Sequence, residues 1–60
     1  MSALDPLAYS PQEAAAATSL SHDVIEKAVR AGELPAKRLG RRVLIPAAEL
    51  ERWLDGLEDY

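Results

Sequence analysis

The apolar positions of this chain change period twice. Val24, Ile25, Ala28 and Val29 recur at helical spacing and predict a helix with a buried stripe, its opposite face showing His22, Asp23, Glu26, Lys27 and Arg30. From Ala36 the period shortens. Ala36–Leu39 and Arg42–Ile45 read as two short strands, with Val43 and Ile45 on one face of the second. Gly40-Arg41 between them suits a two-residue hairpin turn with glycine at its first central position. Beyond Pro46 the helical period returns: Leu50, Trp53, Leu54 and Leu57 fall at i, i+3, i+4 and i+7, a stripe expected to lid the core.

Capping signals divide the N-terminal half. Ser10-Pro11-Gln12-Glu13 is a capping box with proline at the first helical position, and Tyr9 is set to staple onto Ala14. Ala14 to Ala17 continue that helix with high propensity and little bulk, which lets a neighbouring helix approach closely. Thr18-Ser19-Leu20-Ser21 breaks it, Ser21 caps a second helix running from His22 to about Ala31, and Gly32 ends that one. Two short helices joined by so short a turn form a helix-turn-helix, whose second helix can enter a major groove. The expected fold is therefore mainly α with a small β-hairpin: a winged helix-turn-helix over residues 10–58, in the order helix, helix, hairpin, helix. Residues 1–9 are expected to form an N-terminal arm, since Asp5-Pro6 favours an extended or turn conformation.

Composition narrows the function. Sixty residues make one small domain with room for an apolar core and little else. The chain has no cysteine and a single histidine, so no thiolate zinc site, catalytic constellation or cofactor is expected. No leader or membrane span is read in it, which points to a cytoplasmic protein without a membrane partner.

Charge adds the sharpest signal. The net charge is −3, yet the window from Lys27 to Arg42 carries six of the seven basic residues against the single acid Glu33. Such segregation presents one face suited to a polyanion and another suited to water or a basic partner.

Taken together, Tyr9-Ser10-Pro11-Gln12-Glu13-Ala14-Ala15, Ser21, Arg30-Ala31-Gly32-Glu33-Leu34-Pro35-Ala36, Arg38-Leu39-Gly40-Arg41-Arg42-Val43, Ile45-Pro46 and Leu50-Glu51-Arg52-Trp53-Leu54 resemble the excisionase-type branch of the MerR-like winged-helix proteins. The resemblance covers roughly residues 9 to 54. It implies a module whose second helix lies in the major groove of double-stranded DNA and whose wing reaches the adjacent minor groove or backbone. It further implies a phage or plasmid recombination directionality factor partnered by an integrase, with a small transcriptional regulator as the alternative. Thr18-Ser19-Leu20-Ser21 stands where the family often has Leu-Gly-Val-Ser, and the turn is still expected.

The candidate contacts follow from residue chemistry. On the wing, Arg41 at the turn tip suits a narrow minor groove, while Arg38 and Arg42, with Lys37 beside them, suit phosphate. On the second helix, Lys27 and Arg30 match phosphate or the acceptors of guanine. His22 lies at the helix start, and Ser19 and Ser21 can donate to phosphate around the turn. Asp23 and Glu26 repel phosphate but can accept from the cytosine amino group. One small module binds weakly, so self-association on adjacent DNA sites is the expected route to useful affinity. Leu44 is either an exposed contact for a protein partner or packs against the third helix or the arm, the second being favoured; the acidic C-terminal segment with Asp55, Glu58 and Asp59 is either a solvated end or a surface for a basic partner. Those acids, with Asp23 and Glu26, also leave room for a reading of another class, a protein-interaction module for a recombinase or repressor.

Overall fold

In the computed structural model, which describes residues 7–60, the elements run β1 (Ala8–Tyr9), α1 (Pro11–Thr18), α2 (His22–Arg30), β2 (Lys37–Leu39), β3 (Arg42–Pro46) and α3 (Ala47–Asp55). Three helices surround a small antiparallel sheet of order β1-β3-β2, so the fold is the expected winged helix-turn-helix.

Local chemistry sets the helix boundaries. At the start of α1 the Ser10 Oγ accepts from the Glu13 amide at 3.1 Å, and the Ser10 amide donates to the Glu13 Oε1 at 2.8 Å. Both orphan donors are thereby satisfied. Tyr9, just outside that cap, packs against the core that holds Ala14. At the other end the Thr18 hydroxyl donates back to the Ala14 carbonyl at 2.8 Å, and Ser19 reverses the chain in the left-handed region (φ 62°, ψ 23°). Ser21 then caps α2, its Oγ accepting from the Val24 amide at 3.2 Å. After α2 the chain turns at Gly32 (φ 80°), and the Glu33 and Leu34 amides both donate to the Ala28 carbonyl. Those two bonds swing Leu34 into the core.

The core is small: Ala14, Ala15, Ile25, Ala28, Leu34, Ile45 and Leu50 are buried, with Tyr9, Leu20, Val29, Ala36 and Trp53 packed against them. Alanines line the α1–α2 contact, as the low bulk of that segment predicts. Leu34 is fully buried although its neighbours Glu33 and Pro35 are exposed, and no periodicity announces it.

Several expectations need correction. Val24 does not join the buried stripe of α2 and is 42% exposed, because the wing shelters the Val29 flank of the helix and leaves the opposite flank open. The stripe of α3 is likewise shorter than its period: Leu50 is buried and Trp53 half-buried, while Leu54 and Leu57 are exposed. The core that α3 covers is reached by Leu50 and Trp53, and Leu57 lies beyond the end of the helix at Asp55. Leu44 is half-buried, in keeping with the favoured reading that it packs, and the large apolar side chain that stands exposed on the wing is Leu39, at 69%. Finally, Ala8 and Tyr9 pair with Pro46 and Ile45, and the Ala47 amide donates to the Leu7 carbonyl at 2.9 Å. The segment leading into α1 thus supplies a third strand, while residues 1–6, the rest of the expected arm, lie outside the described residues.

Ser19 offers a direct test of the turn. A left-handed conformation costs a non-glycine residue about 1–2 kcal/mol, part of which glycine gives back through its looser unfolded chain. Ser19→Gly is expected to stabilise the fold by about 0.5–1 kcal/mol, a rise of a few degrees in Tm by circular dichroism. An unchanged or lower Tm would show that the serine hydroxyl does more at this position than the backbone demands.

Candidate nucleic-acid interface

Two elements carry the basic residues, and the strand register decides how they meet. β2 pairs with β3 through Lys37↔Leu44, Arg38↔Val43 and Leu39↔Arg42. Cross-strand partners share a face of the sheet, and faces alternate along a strand. Arg38 and Val43 therefore lie on the side of buried Ile45, facing the helices, whereas Lys37, Leu39, Arg42 and Leu44 lie on the outer side. The expectation that Arg38 and Arg42 flank the turn holds in sequence, but the pleat puts them on opposite faces.

The turn itself has the expected geometry. Gly40 takes φ 61° and Arg41 a negative φ, the sign pattern of a hairpin turn with glycine first. Arg41 is exposed at the tip with Arg42 beside it.

Between the wing and α2 runs an open groove of about 360 Å³, lined by Pro11, Glu26, Val29, Arg30, Arg38 and Val43. Its floor is apolar, from Val29 and Val43. Arg30 from the last turn of α2 and Arg38 from β2 both line it, together with the half-buried Glu26. Lys27 lies on the same outward face of α2 as Arg30, one turn earlier, and is exposed. The structure thus brings Arg30 and Arg38 to one groove and sends Lys37 and Arg42 to the other side of the wing. Sequence reasoning missed the groove, and the signal that could have found it is the register of the hairpin.

The helix-turn-helix end of α2 carries the remaining candidates. Ser19, Ser21 and His22 are all exposed. Capping does not exhaust Ser21: its oxygen accepts from the Val24 amide and its O–H is left free to donate. His22, Asp23 and Glu26 come together over the first two turns of α2, their potential ligand atoms all within 4.8 Å of one another. The seventh basic residue stands apart, since Arg52 on α3 is paired with Glu49 at 3.1 Å.

A second groove, lined by Glu33, Pro35, Glu49, Arg52, Trp53, Gly56 and Leu57, lies against α3. Among the described residues no helix is long and apolar enough to cross a membrane.

The model of the helix-turn-helix domain family matches residues 8–57, nearly the whole chain. No curated protein and no solved structure matches it. Proteins of that family are DNA-binding and typically not enzymes, which agrees with a surface whose open groove is walled by arginines. The matched span takes in the capped α1, the Ser19 turn, α2, the wing and α3, and the chain belongs to the helix-turn-helix domain family, in its winged form.

Proposed function

We propose that this protein is an excisionase-type architectural factor that binds attachment-site duplex DNA through α2 and the wing and directs an integrase toward excision. The observation that carries the DNA reading is the groove that Arg30 of α2 and Arg38 of β2 line together. A phosphate strand lying along that groove meets two guanidiniums, while Lys27 and Arg41 extend the cationic track at either end. Arg41 enters the minor groove, Ser19, Ser21 and His22 hold the backbone near the start of α2, and Lys37 and Arg42 supply longer-range attraction from the outer face. The excisionase assignment rests on the sequence resemblance. It is supported by the separation of charge, which leaves Asp55, Glu58 and Asp59 beyond the basic elements and available to a basic partner such as an integrase. A small transcriptional regulator built on the same fold would use the same DNA contacts.

One observation favours a reading of another class. Asp23 and Glu26 share the outward face of α2 with Lys27 and Arg30, as a protein-binding rather than a DNA-binding helix would have it. A mobility-shift titration separates the two. On attachment-site DNA with adjacent repeats the expected pattern is a stepwise ladder that tightens cooperatively. No shift at any protein concentration, together with capture of a recombinase by a chain lacking the wing arginines, would replace the DNA reading with the protein-interaction one.

A further inference from the structure

We propose that His22, Asp23 and Glu26 form a site for one divalent transition-metal ion, and that the bound ion makes the first turn of α2 compatible with the DNA phosphate backbone. His22 and Glu26 stand one helical turn apart, at i and i+4 on the same side of α2, and Asp23 follows His22 directly at the helix start. Their ligand atoms already lie within 4.8 Å of one another, with His22 and Asp23 exposed and free to turn toward the half-buried Glu26 and a common ion. One imidazole nitrogen with two carboxylate oxygens is a mixed set. It suits Zn²⁺, Ni²⁺ or Co²⁺, whereas Mg²⁺ and Ca²⁺ prefer all-oxygen surroundings. Three protein ligands on an exposed helix leave at least one coordination position open to an outside oxygen.

A second observation, of a different kind, points to the same cation. The chain belongs to a DNA-binding family, yet Asp23 and Glu26 occupy the outward face of its second helix, where they repel phosphate. Among the described residues no ion pair answers either carboxylate, the sole pair being Arg52 with Glu49 on α3. A divalent ion offsets both negative charges, leaves Lys27 and Arg30 uncompensated, and offers its open position to a phosphate oxygen. The opposing helix dipole at this end of α2 keeps the affinity modest. The site stands on its own geometry, and its consequence for DNA rests on the function proposed above.

Nuclear magnetic resonance titration of the full chain with ZnCl₂, with MgCl₂ as control, tests the site without DNA. The expected result is a saturable change confined to residues 21–27 and the His22 imidazole, absent with Mg²⁺. His22→Ala and Glu26→Gln should each weaken Zn²⁺ binding at least about tenfold, with the helical circular dichroism retained. No saturable change, or a titration that survives His22→Ala, overturns the site. Mobility shifts with Zn²⁺ and with chelator then test the linkage: a several-fold gain in wild type that disappears in Glu26→Gln supports it, and a Zn²⁺-binding wild type that shifts DNA equally well with chelator overturns it. A chain that binds Zn²⁺ but shifts DNA under neither condition refutes both the linkage and the DNA reading, leaving the site as the metal titration finds it.

Discussion

Leu34→Ala is expected to remove around half of the stability of the fold. Domains of this kind hold about 0.05–0.15 kcal/mol per residue, which for 60 residues is roughly 3–9 kcal/mol in total. Deleting a fully buried leucine costs about 2–5 kcal/mol, around half of that sum when mid-range values are compared. Leu34 is also hard to compensate. Together with Ile25 and Ile45 it is one of three large side chains that are fully buried, and three of the other four buried core residues are alanines, too small to fill a void. Because the Glu33 and Leu34 amides both bond to the Ala28 carbonyl, the backbone cannot follow a shortened side chain without losing the end of α2. Thermal melts followed by circular dichroism, with amide dispersion as a second probe, measure the effect. Leu34→Met, which conserves volume, should cost less than about 1.5 kcal/mol. A Leu34→Ala melt within a few degrees of wild type would mean that the core closes around the site and that Leu34 is no anchor.

The second large effect concerns DNA. The six basic residues of the Lys27–Arg42 window set a limit of about −5 on the slope of log K against log salt, reached only if each neutralises one phosphate, since each contact contributes about −0.9. Replacing Lys37, Arg38, Arg41 and Arg42 with glutamine should flatten the slope, its limit then being about −2, and abolish a shift at physiological salt. The strand register makes the prediction finer. Arg38→Gln and Arg41→Gln, on the groove wall and at the turn tip, should each weaken binding several-fold. Lys37→Gln and Arg42→Gln, on the outer face, should act mainly through long-range attraction and fade as salt rises. Equal losses from all four substitutions would place the DNA across the tip of the wing rather than along the groove.

Much of this architecture is legible wherever the determinant is local. Ser10 and Glu13 announce a cap that the hydrogen bonds reproduce, Gly40 announces a turn that needs a positive φ, and Ser21 announces the start of α2. What escapes is non-local. Ala8 and Tyr9 become a strand only because Pro46 and Ile45 arrive from the far end of the chain, and two residues show no period. Leu34 is a lone apolar residue in a turn, which pattern counting assigns to the surface. Val24 and Leu54 fit their helical stripes, and only the narrowness of the core leaves them exposed. For the interface, the sequence marks the basic window, but which arginines share a face depends on pairing register, and a slip of one residue would exchange them all. The His22, Asp23 and Glu26 spacing is visible in the sequence too, but nothing in a lone exposed histidine singles it out until the three side chains are seen together.

The sheet has two open margins among the described residues, the two-residue β1 on one side of β3 and the longer β2 on the other. An open edge with an exposed leucine at position 39 invites pairing with another chain. Lys37 and Arg38 lie on the edge strand β2, where like charges oppose edge-to-edge pairing of two copies. The cationic wing is thereby also a solubility device: wing variants made with uncharged apolar residues lose this protection along with their affinity for DNA.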